Sequence, residues 1–191
     1  MNIKYHKTEK NQTMKKTIIT LLAGVALLAS CAEQGKGYVI YGTVSNPDLE
    51  GAQVFLVPLE NATKETIDSV YISNQMFEFR GTEEKIADIR IERFKRFGNE
   101  NLLVVTEPGE TFVTIGQVSS SRGTPQNDSL QVWKNLTKQY NTQVSSLRSQ
   151  GRKEDAAALR ESYIARTRQM ASDLGKETTL GAFLNSRFPE K

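Results

Sequence analysis

Ala87-Asp88-Ile89-Arg90-Ile91-Glu92 places an apolar side chain at every second position and a charged one between. A period of two belongs to an extended chain whose side chains point to opposite faces. The stretch therefore predicts a β-strand with one buried and one wet face. Similar segments lie on either side of it. Tyr38-Val39-Ile40-Tyr41-Gly42-Thr43-Val44 is rich in β-branched and aromatic residues and stops at Ser45-Asn46-Pro47-Asp48. Gln53-Val54-Phe55-Leu56-Val57 reads as a central strand covered on both faces. Ile67–Ile72 and Met76–Arg80 flank Ser73-Asn74-Gln75, which reads as a three-residue hairpin loop. Leu102–Thr106 and Thr111–Ile115 bracket Glu107-Pro108-Gly109-Glu110, where proline presets φ and glycine accepts the positive φ of a type II turn. About seven short strands at roughly ten-residue spacing predict a β-sandwich over residues 37–116, with a small barrel as the other closed solution.

The period then changes. Residues 117–127 form a polar linker, after which Leu130, Trp133, Leu136, Tyr140, Val144 and Leu147 recur every three or four residues. That spacing lines one face of a helix. Asp128 is placed as its N-cap, with Gln131 positioned for a capping box. Ser149-Gln150-Gly151 breaks the run. Leu159, Tyr163, Thr167, Met170 and Leu174 resume it, so residues 128–191 predict an antiparallel helical hairpin. A short C-terminal helix follows over Thr179–Phe188. The expected fold class is all-β plus α: a sandwich, then helices.

Ahead of the strands, Met14-Lys15-Lys16 opens an apolar run that closes on Leu28-Ala29-Ser30-Cys31. A positive start, a short apolar stretch and small residues before a cysteine make the signal of a bacterial lipoprotein. The run is shorter than the roughly 20 residues a spanning helix needs. The expectation is cleavage before Cys31, lipid on its sulfur as the membrane attachment, and a short tether over residues 31–36. Residues 1–30, comprising an upstream segment and the signal, leave the mature chain. Ala32 after the anchor favours the outer membrane over inner-membrane retention. Glu33-Gln34-Gly35-Lys36 lacks an acidic export run, which favours the periplasmic side.

Removing residues 1–30 changes the available chemistry. Of 25 basic and 22 acidic residues, 20 and 21 remain, a net charge of −1. The basic balance belongs to the signal and argues for no nucleic-acid partner. The only histidine, His6, is lost, and the only cysteine, Cys31, is the anchor. Histidine-dependent triads, Cys/His zinc sites and thiol exchange are thereby excluded from the mature chain. No cofactor is expected.

Residues 37–130 resemble a bacterial domain of unknown function found ahead of thioredoxin-like domains in lipoproteins related to TlpA and ResA. The resemblance is carried by Tyr41-Gly42-Thr43-Val44, Gly51-Ala52-Gln53-Val54-Phe55-Leu56, Thr66-Ile67-Asp68-Ser69-Val70 and Met76-Phe77-Glu78-Phe79-Arg80-Gly81. It continues through Val105-Thr106-Glu107-Pro108-Gly109-Glu110-Thr111 and Gly123-Thr124-Pro125-Gln126-Asn127-Asp128. The helices, with Leu180-Gly181-Ala182-Phe183-Leu184, look like the linker such proteins place before the thioredoxin domain. The chain carries no Cys-x-x-Cys, so the resemblance implies fold and compartment and brings no oxidoreductase activity.

Several residues are candidate contacts. Arg90, Arg93, Lys95 and Arg96 interleave with Phe94 and Phe97, a pattern that suits an anionic or sugar ligand and equally a solvated strand face. Trp133, Tyr140 and Tyr163 line either a groove or, at their helical spacing, a core. Asp68 and Glu107 would serve a carboxylate-dependent glycan hydrolase only if the fold brought them together. Asp48, Glu50, Glu83, Glu84 and Asp88 are oxygen donors without a calcium-loop pattern, so no metal site is assigned. Asp68-Ser69-Val70 and Asp128-Ser129-Leu130 match an Asp-Ser-apolar signal for periplasmic O-glycosylation, with Ser129 read as the more exposed hydroxyl. The expected role is a non-catalytic binding or interaction module with an envelope protein or glycan partner. The alternatives are a regulator of full-length thioredoxin-like enzymes and the glycan hydrolase. No oligomeric state is readable.

Overall fold

The structure, a computed structural model, describes residues 37–91 and 102–189. Eight strands form two four-stranded sheets: β1 Tyr38–Val44, β2 Gln53–Pro58, β3 Asp68–Tyr71, β4 Met76–Gly81, β5 Ile86–Ile91, β6 Leu102–Val105, β7 Gly109–Ile115 and β8 Ser120–Arg122. The strand orders are β4-β1-β7-β8 and β3-β2-β5-β6. Three helices follow: α1 Pro125–Ser149, α2 Lys153–Leu174 and α3 Thr179–Arg187. The expected sandwich-plus-helices class is what the chain adopts.

The period-two pattern determines the core. Tyr38, Ile40 and Val44 of β1 face Val54 and Leu56 of β2 and Ala87, Ile89 and Ile91 of β5, with Phe77, Phe79, Val113 and Ile115 closing the cluster. Gly42 sits in the same inward row, opposite Phe77 across the β1–β4 ladder. A Cβ there would lie 2.1 Å from the Phe77 ring, so the glycine is what admits the phenylalanine to the core. On the outer face Glu78, Tyr41, Phe112 and Arg122 stand in one row across all four strands. Tyr41 and Phe112 stack at 5.5 Å, and the Arg122 guanidinium lies 5.7 Å from the Phe112 ring centre. Such cross-strand pairs stabilise a half-exposed sheet.

Sheet membership departs from the hairpins expected of the turns. The residues Ser73–Met76 do make a tight turn, but β3 and β4 belong to different sheets. The loop has two central residues, Asn74 and Gln75, both at positive φ, rather than three. Glu107-Pro108-Gly109 likewise carries the chain from β6 in one sheet to β7 in the other. There β7 pairs in parallel with β1, Tyr38 opposite Gly109. Within β5, Arg90 is exposed, whereas Asp88 is buried at 7% exposure on the face expected to be wet. Phe55 and Gln53 are half-buried, so β2 is covered on both faces only towards Pro58.

The expected 117–127 linker contains β8 and the start of α1. Ser120–Arg122 pairs with β7, and the helix begins at Pro125. Asp128 and Gln131 are therefore not its cap. Their side chains accept from the N–H groups of Gly123 and Ser121, at 2.9 Å each, tying the helix back to the strand before it. The helices form a third layer. Leu130 of α1, Ala171 of α2 and Leu180 and Leu184 of α3 pack on Ile86 and Val105 at one end of the second sheet. Among the described residues no helix is long and apolar enough to cross a membrane.

Candidate functional site

The seam between sandwich and helices holds a buried polar network and, beside it, a cleft. Proline at the first helical position and an N-cap threonine whose hydroxyl caps nothing leave the early N–H groups of α1 without local acceptors. The Glu107 carboxylate supplies them: Oε1 accepts from the N–H of Gln126 at 2.7 Å and of Asn127 at 3.1 Å. Asn127 is fully buried. Its Nδ2 donates to the Val105 carbonyl at 2.8 Å and its Oδ1 accepts from the Val105 N–H at 3.0 Å, so the amide pairs with an edge strand as another strand would. Nδ2 also reaches the hydroxyls of Thr124 and Thr111.

Gln126 extends the network to the last helix. Its Nε2 donates to Glu84 at 2.8 Å, and its Oε1 accepts from the Leu180 N–H at 2.8 Å. Thr179 donates to the same Glu84 carboxylate at 2.7 Å. Two turns of the sandwich thereby grip the N-termini of α1 and α3, where negative charge is favoured by the helix dipole.

Next to this grip lies a cleft of about 440 Å³ between the ends of β2 and β5 and the α3 surface. Leu59, Ile86 and Phe183 supply apolar walls, and Asn61, Lys85 and Ser186 supply polar groups. Lys85 pairs with Glu83 at 2.6 Å, and Arg187 sits 5.0 Å from the Phe183 ring centre. The combination of flat apolar wall and hydrogen-bonding rim suits a ligand with both characters. Glu60 and Glu83 reach the cleft but are solvent-exposed. That setting lacks the enclosure by which a general acid is tuned.

The predicted site residues are dispersed. Arg90 lies on the outer face of β5 and pairs with Asp88 at 2.8 Å. Arg93, Phe94, Lys95, Arg96 and Phe97 fall outside the described residues, as does Cys31. Trp133 packs edge-on against Phe183 and Phe188 and belongs to the seam core. Tyr140 stacks on Tyr163 at 4.4 Å, and Thr137 hydrogen-bonds the Tyr163 hydroxyl at 2.9 Å. These aromatics cement one helix to the next and form no open groove.

Asp68 and Glu107 stand at opposite edges of one sheet, on β3 and just beyond β6. Three strand spacings, about 14 Å, separate those edges. Glu107 is buried and occupied by α1, and Asp68 accepts from the Ser69 N–H at 2.7 Å. The carboxylates weighed for calcium are engaged separately. Glu50 accepts from the N–H groups of Asn74 and Gln75, Glu83 pairs with Lys85, Glu84 binds Gln126 and Thr179, and Asp88 binds Arg90. Of the two Asp-Ser motifs, Ser69 on β3 is the exposed hydroxyl; Ser129 is half-buried in the first turns of α1, the reverse of the sequence reading.

One residue escaped the sequence reading. Lys134 of α1 inserts between the sheets, donating to the Leu103 carbonyl at 3.3 Å and to Ser121 Oγ at 3.1 Å. Burial pushes its ammonium down to about 8. No local signal marks it, because its neighbours come from two distant strands.

No curated protein and no solved structure matches the chain. The family described as Domain of unknown function (DUF4369) does match, over residues 38–130, a span that runs from the first residue of β1 to the Leu130 turn of α1 and so takes in the Glu107–Asn127 lock.

Proposed function

We propose that this chain is a lipid-anchored protein of the cell envelope, held at an outer membrane through Cys31 and facing the periplasm. It acts there as a non-catalytic binding module for a protein or glycan. The observation that carries the binding reading is the cleft at the seam, about 440 Å³ with apolar walls and a polar rim. The motif residues support the non-catalytic part. Gly42, Glu107, Gln126 and Asn127 are all spent on packing or on framework hydrogen bonds. A carboxylate buried at the start of a helix, with its oxygens taken by the groups of that helix, is out of hydrogen-bond reach of a substrate.

Two measurements test the reading. Full-length protein produced in a bacterium fed an alkyne fatty acid should take up label, and Cys31→Ser should abolish it; label retained in the variant refutes the anchor. A photo-cross-linking residue at Ser186, on the cleft, should yield a discrete adduct in cells that the same residue at Met76, on the opposite sheet, does not. Equal or absent adducts at the two positions refute the cleft as the binding site.

A further inference from the structure

Two charges on α2 have no use within the helix that carries them. Asp173 stands in the last turn, where the helix dipole disfavours a carboxylate, and that turn holds no basic residue. Its side chain accepts from the Gln169 amide at 2.7 Å and meets no cation among the described residues. Arg166, seven residues earlier, is exposed and has no ion-pair partner among the described residues. A separation of seven residues is two helical turns, so both charges lie on one face, about 10.5 Å apart along the axis. The other charged groups nearby are turned elsewhere. Arg168 donates to the carbonyls of Phe188 and Pro189, Asp128 accepts from the Gly123 N–H, and Lys176 and Glu177 lie past the end of α2.

Between the two charges lies a shallow groove of about 520 Å³, with Ser129 and Val132 of α1 on one side and Met170 and Leu174 of α2 on the other. Val132 is 56% exposed and is the only large hydrophobic so exposed on the described helices. Its position is set by the helix pairing. The Tyr140–Tyr163 stack holds α1 antiparallel to α2, so Val132, eight residues before Tyr140, stands level with Ala171, eight residues after Tyr163. The exposed valine is therefore beside the midpoint between Arg166 and Asp173.

A face with a free cation at one end, an apolar centre and a free anion at the other is complementary to itself. In a twofold contact, each residue that touches a second one is touched by it in return. We propose that this α1–α2 face docks on a second copy of the chain, with the twofold axis crossing α2 at Gln169–Met170. The two α2 helices then run antiparallel, and each Arg166 meets the partner's Asp173. Val132 lies against the partner's Val132 near the axis. The contact also brings a guanidinium to the C-terminal turn of each α2, where positive charge is favoured.

The test is sedimentation of purified full-length protein in density-matched detergent. The parent should be dimeric at about 100 μM. Arg166→Glu and Asp173→Arg should each weaken the dimer about tenfold, because each sets like charges face to face at both symmetric positions. The double variant Arg166→Glu/Asp173→Arg should return affinity to within about threefold of the parent, which requires these two residues to meet across copies. A second measurement does not depend on charge reversal. Gln169→Cys, next to the axis, should give a disulfide-linked dimer on mild oxidation in membranes, above the background of the parent, and Ser145→Cys, far along α1, should not. A monomeric parent overturns the proposal, as does a double variant no tighter than either single one. So does a dimer indifferent to all three charge variants, or equal cross-linking at positions 169 and 145.

Discussion

The carboxylate of Glu107 caps a helix that begins far along the chain, accepting from the N–H groups of Gln126 and Asn127, while Asn127 pairs in return with the backbone of Val105, two residues before Glu107. Turn and helix start are thus one unit. The unit explains why a β-domain needs the first turn of the helix that follows it. Without Asn127 the Val105 carbonyl and N–H, at the edge of a sheet, would be buried unpaired.

Asn127→Ala should therefore destabilise the chain by about 2–4 kcal/mol, since it strips two buried backbone groups and two threonine hydroxyls of their partner. Asn127→Asp should cost more, because a carboxylate oxygen would then face the Val105 carbonyl where Nδ2 now donates. Glu107→Gln should cost less than either, as its remaining amide oxygen can still accept. Urea unfolding of the three variants gives the order directly. An aspartate variant as stable as the parent would show that the amide pairing is absent.

At the turn after β3, Asn74 and Gln75 hold φ of 54° and 59°. Asparagine tolerates that conformation and glutamine does so poorly. The Glu50 carboxylate offsets the strain by accepting from both N–H groups, at 2.8 and 3.0 Å. Gln75→Gly should stabilise the protein by about 0.5–1 kcal/mol. Glu50→Gln should do the opposite. A glycine variant with a lower melting temperature than the parent would contradict the assignment.

How much of this could be read beforehand follows from what is local. Strands such as β1, β5 and β7 announce themselves through alternation, and α1 and α2 through their three-to-four spacing, because burial on one face writes the period into the sequence. Sheet membership is not local. Nothing in Ser73-Asn74-Gln75 or Glu107-Pro108-Gly109 says that the next strand joins the other sheet. Ser120-Ser121-Arg122 has no apolar residue and becomes β8 only because β7 and Gln131 supply its partners. The start of α1 was hidden for the same reason, its cap being a distant glutamate where Asp128 stood ready as a local one. The cleft joins residues 58–86 to 179–186, so it exists only once the seam has formed.

Lys134 makes stability depend on pH. Its folded value, about 8, lies below the 10.5 of an open lysine, so between those limits the unfolded chain binds more protons than the folded one. Stability should rise with pH across that window, and the penalty is carried in full below pH 8. The shift sets a ceiling of about 3 kcal/mol, and partial access of water to the side chain brings the expected gain to about 1–2 kcal/mol. Lys134→Met should flatten the profile and raise the urea midpoint at pH 7. If parent and variant show the same slope between pH 8 and 10, the lysine is not desolvated in the folded state.

The hairpin should open by itself. Between Lys138 and Leu159 only Val144 and Ala156 are buried, and neither belongs to the core cluster of the sandwich or of the seam. The base is firmer, because the Tyr140–Tyr163 stack and the Thr137 hydroxyl hold it and Phe188 packs on the Tyr163 ring. Regions with so few buried apolar contacts unfold sub-globally. Hydrogen exchange at amides of residues 142–158 should run at least about 30-fold faster than at the central strands β1 and β7, a gap of about 2 kcal/mol. Val144→Ala should accelerate exchange in the tip and leave the sandwich amides unchanged, whereas Tyr163→Ala should extend fast exchange towards Thr167. Uniform protection from Lys138 to Leu174 would mean that the hairpin and the sandwich open as one cooperative unit.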